Sequence, residues 1–458
     1  MTCVDLKNKR VLVVGLGKSG VASALFLKER GARVTVSDTK SPEELRDEIP
    51  ALLDHGITVE TGGHGERTFR GQDLIVVSPG VPVDAPPLVQ ARAADEPVIG
   101  EIELAAQNLT GPIVAITGSN GKTTTTTLAG EILSAGGIPV AVGGNIGTPA
   151  ISLVAQATRD TVAVLEVSSF QLETIQTFRP KVAVILNITP DHLDRHRTFQ
   201  AYVDAKARIF ENQQASDFAV LNEDDPTCRT LGDRTRAQVV WFSRKKEVQS
   251  GAHVRDGRIF FRNASGPREI MLVSEIPLKG AHNVENVLAG VCAGALMGCE
   301  PDQIRKAIQN FKAVEHRLEY VATIKGVEYF NDSKATNVDA TIKALESFPK
   351  NIHLILGGKD KGSDYTVLND LLRERVKRVY TIGAAAEKIE SHIKGTVEII
   401  HAETLENAIR RASAVAQPGD IVLLAPACAS FDQFQSYNHR GRVFKQVVHS
   451  LVAATVQA

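Results

Sequence analysis

The sequence predicts an α/β protein of three domains: an N-terminal Rossmann-like domain over 1–100, a central P-loop ATPase-like domain with a mixed sheet over 101–313, and a C-terminal Rossmann-like domain over 314–458. Three observations lead there. At 458 residues the chain exceeds what one hydrophobic core supports. Two glycine-rich turns, at 15–20 and 117–121, each separate an apolar run from a helical pattern. From 353 to 424, apolar runs alternate with helical stretches, the signature of βαβ units.

The bulk numbers narrow the class further. A hydrophobic content of 43% suffices for packed cores, and a formal net charge of −1 gives no reason to expect nucleic acid or an anionic membrane as partner. The five cysteines (3, 228, 292, 299 and 428) are scattered and lack a C-x-x-C pair, which fits reduced thiols and no zinc site. No signal-peptide pattern opens the chain. Its longest apolar segment, 287–297, is too short to span a bilayer and reads as a buried helix. A soluble, cytoplasmic protein is expected.

In the first domain an apolar strand over 11–14 leads into Gly15, Gly17 and Gly20, a helical pattern follows over 21–30, and a second strand over 33–37 ends at Asp38. Strand, G-x-G-x-x-G, helix, strand and acidic residue form the dinucleotide fingerprint in its βαβ setting. Alone it suggests an NAD-dependent dehydrogenase, although any nucleotide diphosphate meets the same physical demand. A further strand over 73–77 ends in Ser78, Pro79 and Gly80, where a ligand loop and an ordinary proline turn are equally consistent readings. The Pro-rich stretch over 81–97 reads as the transition to the next domain.

The central domain opens on the stretch around which the chain is organised. A strand over 113–116 breaks into Thr117, Gly118, Ser119, Asn120 and Gly121, and Lys122, Thr123 and Thr124 start a helix. Glycines let backbone N–H groups approach an anion, the helix N-terminus adds partial positive charge, Lys122 suits the terminal phosphates, and Thr123 suits magnesium. ATP is the expected ligand. One departure is visible: the usual pattern places glycine five positions before Gly121, where this chain has Ile116. Asn145 lies in a flexible turn over 143–147. Glu166 ends an otherwise apolar strand, where a carboxylate is costly unless paired or metal-bound; magnesium ligation and a structural salt bridge are the two readings. A strand over 182–188 ends in a polar run containing Asp191 and His192, which reads as a site or as a solvated loop. Composition alone reads Lys206 as a lysine snorkelling from an amphipathic helix. Asn283 and Asn286 share a helix face and either read a ligand or cap the helix.

In the third domain a hairpin follows Arg317 and ends at Asp332, Lys334 and Thr336. Polar loops at strand ends hold Lys361, Cys428 and Ser430, which suits a small anionic substrate. Cys428 has no histidine beside it in sequence and reads as a buried structural thiol.

Taken together, these motifs resemble the Mur ligases of bacterial peptidoglycan synthesis, across essentially the whole chain: 117–124, 144–147, 166–172, 191–195, 282–286, 316–317, 331–337 and 426–434 with Arg440 and Gly441. The resemblance is strongest to the branch that adds D-glutamate, and it accounts for the missing glycine through the family's shorter T-G-x-N-G-K-T loop. It implies ATP-dependent amide ligation through an acyl phosphate, on UDP-N-acetylmuramoyl-L-alanine and D-glutamate, by a monomer. It implies that Gly118, Ser119, Asn120, Gly121, Lys122, Thr123 and Thr124 hold the phosphates, and that Asn283, Asn286, Arg317 and Asp332 contact the nucleotide. Two magnesium sites are implied, one on Thr123 and Glu166, the other on His192 and a carbamylated Lys206, which replaces the snorkelling reading. Lys18, Ser19, Asp38, Thr39, Ser78, Pro79, Gly80, Asn145 and His192 fall to the UDP-linked substrate. Lys334, Thr336, Lys361, Ser430 and Tyr437 fall to D-glutamate, with Tyr437 standing where better-known members have another aromatic. Lys122, Glu166, His192, Lys206 and Lys334 are the expected catalytic set. A sister ligase adding another amino acid is the nearer alternative; the dehydrogenase becomes a distant one.

Overall fold

The computed structural model describes residues 6–312 and 314–456. Cys3 and Ala313, the expected end of the central domain, lie outside them. The described residues fall into two compact units: one runs to Ile188 and takes in Thr198–Val273 and Asn286–Gln309, and the other comprises Thr189–Arg197, Ser274–Glu285 and the chain from Asn310 on.

The first unit contains two sheets. One is all parallel, with strands β1 (Arg10–Val14), β2 (Arg33–Ser37), β3 (Thr58–Glu60), β4 (Leu74–Val77) and β5 (Val98–Gly100) in the order β3-β2-β1-β4-β5. Strand order reverses beside β1, so the turn after it opens into the crevice where doubly wound sheets hold ligands. The Pro-rich stretch expected as a transition is still part of this domain. Pro86 and Pro87 occupy the first turn of the helix Pro86–Ala93, where a missing N–H costs nothing, and β5 then closes the sheet.

The other sheet is mixed, as expected. Its strands are β6 (Ile113–Thr117), β7 (Val140–Gly144), β8 (Val162–Glu166), β9 (Val182–Ile185), β10 (Phe218–Asn222), β11 (Gln238–Ser243), β12 (Gly251–Arg255), β13 (Arg258–Asn263) and β14 (Gly266–Leu272). They run in the order β14-β13-β12-β11-β10-β9-β6-β8-β7, antiparallel only from β12 to β14. The apolar pattern misses β12 and β14, because glycine and charged residues interrupt both and β14 also carries Pro267. It also overextends β9, which ends at Ile185. Val114, Ile116, Val164 and Val184 are fully buried, so these central strands read as continuous apolar runs. One apolar core extends from Leu6 through both sheets to Ala237. The expected buried helix is Ala281–Leu296, with Val287, Leu288, Val291 and Cys292 fully buried. No helix among the described residues is long and apolar enough to cross a membrane.

The second unit holds a six-stranded sheet of β15 (Glu319–Ile324), β16 (Val327–Asn331), β17 (Ile352–Gly357), β18 (Val376–Ile382), β19 (Glu398–Glu403) and β20 (Ile421–Leu424), in the order β15-β16-β20-β17-β18-β19. The expected hairpin is the antiparallel pair β15 and β16; the remaining pairs are parallel, with helices on both faces.

Candidate active site

Within the first unit, β6 lies between β8 and β9, so the ends of three strands converge beyond Thr117, Glu166 and Ile185. The loop after β6 is shaped by its glycines. Gly118 has φ +154° and Gly121 φ +86°, and a Cβ on Gly121 would collide with the side-chain oxygen of Asn286. The helix Lys122–Ala135 begins on this left-handed glycine.

Lys122 folds over its own loop, donating from Nζ to the carbonyl oxygens of Gly118 and Ser119 at 2.8 Å each. Ser119 and Asn120 direct their N–H groups to Asn187, onto its backbone oxygen and Oδ1 respectively, both at 2.9 Å. The buried Asn187 was not singled out in the sequence; the available signal was a polar residue inside the apolar run after β9. Asn286 accepts from Thr125 Oγ1 at 3.3 Å, behind the loop.

Glu166 is 2% exposed. Thr123 Oγ1 donates to its Oε2 at 2.7 Å and Asn145 Nδ2 to its Oε1 at 2.9 Å, while the Asn145 N–H reaches its backbone oxygen at 2.8 Å. Thus the carboxylate at the end of β8 joins the phosphate loop to the turn after β7. A hydroxyl and a carboxylate side by side are hard oxygen donors of the kind magnesium takes. Lys206, on the helix Phe199–Ala207, is 1% exposed, so it does not snorkel. Its Nζ donates to the Gly118 oxygen at 2.8 Å and to Thr117 Oγ1 at 3.3 Å, with the Tyr202 ring centroid 4.7 Å away. Tyr202 in turn places its hydroxyl 3.2 Å from Ser119 Oγ.

The turn after β1 is tied down from two sides. The Asp38 carboxylate accepts the Leu16 N–H at 2.6 Å through Oδ2 and the Lys40 N–H at 2.9 Å through Oδ1. Ser78 Oγ donates to the Gly15 oxygen at 2.8 Å. Lys18 and Thr39 are exposed beside the turn. Both Asp38 oxygens therefore serve the backbone, unlike an acidic residue reserved for a ribose diol.

Within the second unit, Asp332, Lys334, Thr336 and Ser430 lie in the loops after β16 and β20. Burial pushes the Asp332 carboxyl up to about 6, against the pull of Arg317 and Lys334 nearby. Arg317 Nε is buried without a hydrogen-bond partner, which suits an incoming anion or nucleotide. Lys334 Nζ lies 5.1 Å from the centroid of the Tyr437 ring, a cation–π contact. Arg440 is wholly buried and clamps the two loops. It donates from Nε to Ser333 Oγ at 3.0 Å and from Nη2 to the oxygens of Ser333 at 2.8 Å and Cys428 at 3.1 Å. Burial depresses its guanidinium to about 10. Cys428 is the expected buried thiol, pushed up to about 11 by burial, with Tyr365 Oη 3.0 Å from its sulfur.

His192, in left-handed backbone at φ 53°, and Asp191 also belong to the second unit. Asn337 Nδ2 donates to Asp191 Oδ2 at 2.9 Å, and Lys361 Nζ lies 3.6 Å from Asp191 Oδ1. Asn283 donates to the Lys279 oxygen at 2.6 Å. Its neighbour His282 is held down to about 4, first by burial and then by Lys343 and Arg317, so its imidazole is neutral at pH 7.

Comparison with known proteins agrees with this layout. Three family models match in succession: the MurD-like N-terminal domain of Mur ligases over residues 9–100, the Mur ligase middle domain over 116–294, and the glutamate ligase domain of Mur ligases over 316–428. A UDP-N-acetylmuramoylalanine–D-glutamate ligase of Koribacter versatilis (strain Ellin345) is 68% identical over 448 residues, 98% of this chain and 99% of the relative. The enzyme of the same name from Acidobacterium capsulatum is 60% identical, over 97% of each chain. Among solved structures, a pseudomurein peptide ligase type C from Methanothermus fervidus aligns at TM-score 0.62 and 22% identity, over 97% of this chain and 100% of that one. The MurF ligase from Thermotoga maritima, in complex with ADP, aligns at TM-score 0.62 and 18% identity, over 98% and 99%. The structures share the fold. With a full-length relative at 68% identity, and with phosphate loop, strand-end carboxylate and buried lysine assembled on that fold, the chain belongs to the Mur ligase family.

Proposed function

We propose that this chain is an ATP-dependent ligase that joins D-glutamate to the terminal carboxylate of UDP-N-acetylmuramoyl-L-alanine during peptidoglycan precursor synthesis, acting as a cytoplasmic monomer. The observation behind the reading is the buried pair Thr123 and Glu166, joined by the exposed Asn145, beside the phosphate loop in a chain whose full-length relatives bear that ligase's name. A carboxylate is a poor acyl donor because its oxygen leaves badly. Its attack on the γ-phosphorus, with ADP departing, makes that oxygen the bridge of an acyl phosphate, so that it can leave as part of phosphate. The neutral amine of D-glutamate then attacks the acyl carbon, inorganic phosphate leaves, and the nitrogen loses its proton.

Residues 1–100, 101–313 and 314–458 serve as the UDP-substrate, ATP and amino-acid domains. In the first, Lys18, Ser19, Thr39, Ser78, Pro79 and Gly80 face the UDP moiety, and Asp38 shapes their turn; Asn145 and His192 are assigned to the same UDP-linked substrate by resemblance. Gly118, Ser119, Asn120, Gly121, Lys122, Thr123 and Thr124 hold the ATP phosphates. For that, Lys122 exchanges its two carbonyl partners for phosphate oxygens, a stronger charge-assisted pairing. Asn283, Asn286, Arg317 and Asp332 serve the nucleoside. Lys334, Thr336, Lys361, Ser430 and Tyr437 take the two carboxylates of D-glutamate.

Thr123 and Glu166 fit a magnesium ion; when bound, it offsets charge on the transferring phosphoryl group. A second ion is assigned by resemblance to His192 and to Lys206 as its carbamate, which turns a donor into an oxygen ligand. Carbon-13 NMR after equilibration with labelled bicarbonate tests the carbamate.

The function is tested by phosphate release with UDP-N-acetylmuramoyl-L-alanine and D-Glu, L-Ala, L-Lys or diaminopimelate in turn. Turnover with D-Glu alone is expected. Robust turnover with L-Lys and none with D-Glu would overturn the assignment.

A further inference from the structure

Glu101 begins the helix Glu101–Asn108 directly after β5, at the ligand edge of the first sheet. It is 2% exposed. Its Oε1 accepts the N–H of Ile151 at 2.8 Å, at the start of the short helix Ala150–Leu153. Its Oε2 is equally buried and has no hydrogen-bond partner, although the Gln171 amide and the Ala150 N–H face the carboxyl. The crevice there, about 210 Å³, is lined by Ser78, Pro79, Phe170 and Gln171 and is too narrow to seat a water. A half-satisfied carboxyl in a dry crevice works against folding, so its retention calls for a purpose.

That purpose is visible in what Ile151 anchors. The segment from Gly144 to Ile151 is fastened at one end by Asn145, which donates through backbone and side chain to Glu166. The Gly144 N–H closes the turn onto the Thr148 oxygen at 2.8 Å. Glu101 holds the other end. Gln171, on the far side of the carboxyl, accepts the N–H and hydroxyl of Ser168 at 2.9 and 3.0 Å, two residues beyond Glu166.

We propose that Glu101 is a positioning residue for the UDP-linked substrate: through the Ile151 N–H it fixes the turn that presents Asn145. This rests on the substrate reading given under Proposed function. A shorter side chain at 101 cannot reach Ile151, whereas glutamine keeps an oxygen that accepts its N–H.

The test compares the parent with E101A, E101Q, N145A and the double variant E101A/N145A, measuring kcat, the three KM values and Tm. Expected are a KM for UDP-N-acetylmuramoyl-L-alanine raised about tenfold in E101A, a KM for ATP within twofold of the parent, and E101Q within threefold throughout. The double variant should be no worse than N145A, because the two residues act on one turn. An active parent whose E101A variant keeps its UDP-substrate KM within threefold would overturn the role. Equal increases in all three KM values with a lowered Tm, or multiplicative effects in the double variant, would overturn it too. A parent inactive on UDP-N-acetylmuramoyl-L-alanine would instead overturn the substrate reading, and this role with it.

Discussion

Two residues beyond Glu101, the same helix turn holds a second buried glutamate with the opposite balance, and Glu103→Gln exposes the difference. Glu103 is wholly buried. Its Oε1 accepts the Thr177 N–H at 2.9 Å, the Thr177 hydroxyl at 2.6 Å and Gln107 Nε2 at 2.8 Å. Its Oε2 accepts the N–H groups of Gln176 and Phe178, both at 2.9 Å. Every contact is a donor pointing at an acceptor. Glutamine offers one oxygen and one NH2, so in either orientation at least two donors meet another donor. A lost partner for a buried backbone N–H costs about 1–3 kcal/mol each, which predicts a loss of about 4 kcal/mol. Urea unfolding at pH 7.5, comparing midpoints at equal slope, measures it. A loss below about 1 kcal/mol would refute the reasoning, since it would mean that the segment 176–178 relaxes to other partners at little cost.

The same substitution at Glu101 should act the other way at alkaline pH. Burial raises this carboxyl from 4.5 to about 7, so the folded state holds its proton more tightly than the unfolded chain; stability is lost as pH rises from about 4.5 through about 7. At about 1.4 kcal/mol per unit, the deficit above pH 7 is about 3 kcal/mol. E101Q should therefore gain on the parent between pH 5 and pH 8 in parallel urea melts, and parallel curves would contradict the burial argument. Lys122→Ala should lower turnover by on the order of 10³ with unchanged circular dichroism, because its ammonium has no substitute in the loop; retained turnover would remove the phosphate role. Cys428→Ala should keep turnover within a few fold, since a thiol raised to about 11 is not a nucleophile at pH 8; loss of activity with a normal Tm would reopen the question.

What the sequence revealed, and what it hid, follows the range of the interactions. The phosphate loop was legible because its demands are local: left-handed glycines at 118 and 121, then a lysine and a hydroxyl at a helix start. Glu166 was legible because a carboxylate at the end of an apolar strand is an anomaly in itself. Lys206 was misleading by composition, since its burial depends on Thr117 and Gly118, some 88 residues earlier. The structural work of Glu101, Glu103, Asn187 and Arg440 was out of reach for the same reason. Arg440, for instance, meets Ser333 across 107 positions, and nothing near either residue announces the pairing. β14, at the sheet's far edge, was missed because edge strands tolerate glycine, proline and charge and so lack a clear alternating pattern. β12, two strands further in, was missed because it is short and bounded by Gly251 and Arg255.

That far edge has a consequence for the behaviour of the chain in concentrated solution. β14 pairs on one side only, with β13, and leaves a row of backbone groups facing outward. Such a row is a template for self-association unless it is blunted. Pro267, Arg268 and Glu269 lie exposed along it, removing one donor and adding both signs of charge, and the register shifts at Ile259 and Phe260 on its partner strand. The residues that spoil the strand pattern are thus the ones that keep a nine-stranded sheet from growing a tenth strand out of a neighbouring molecule.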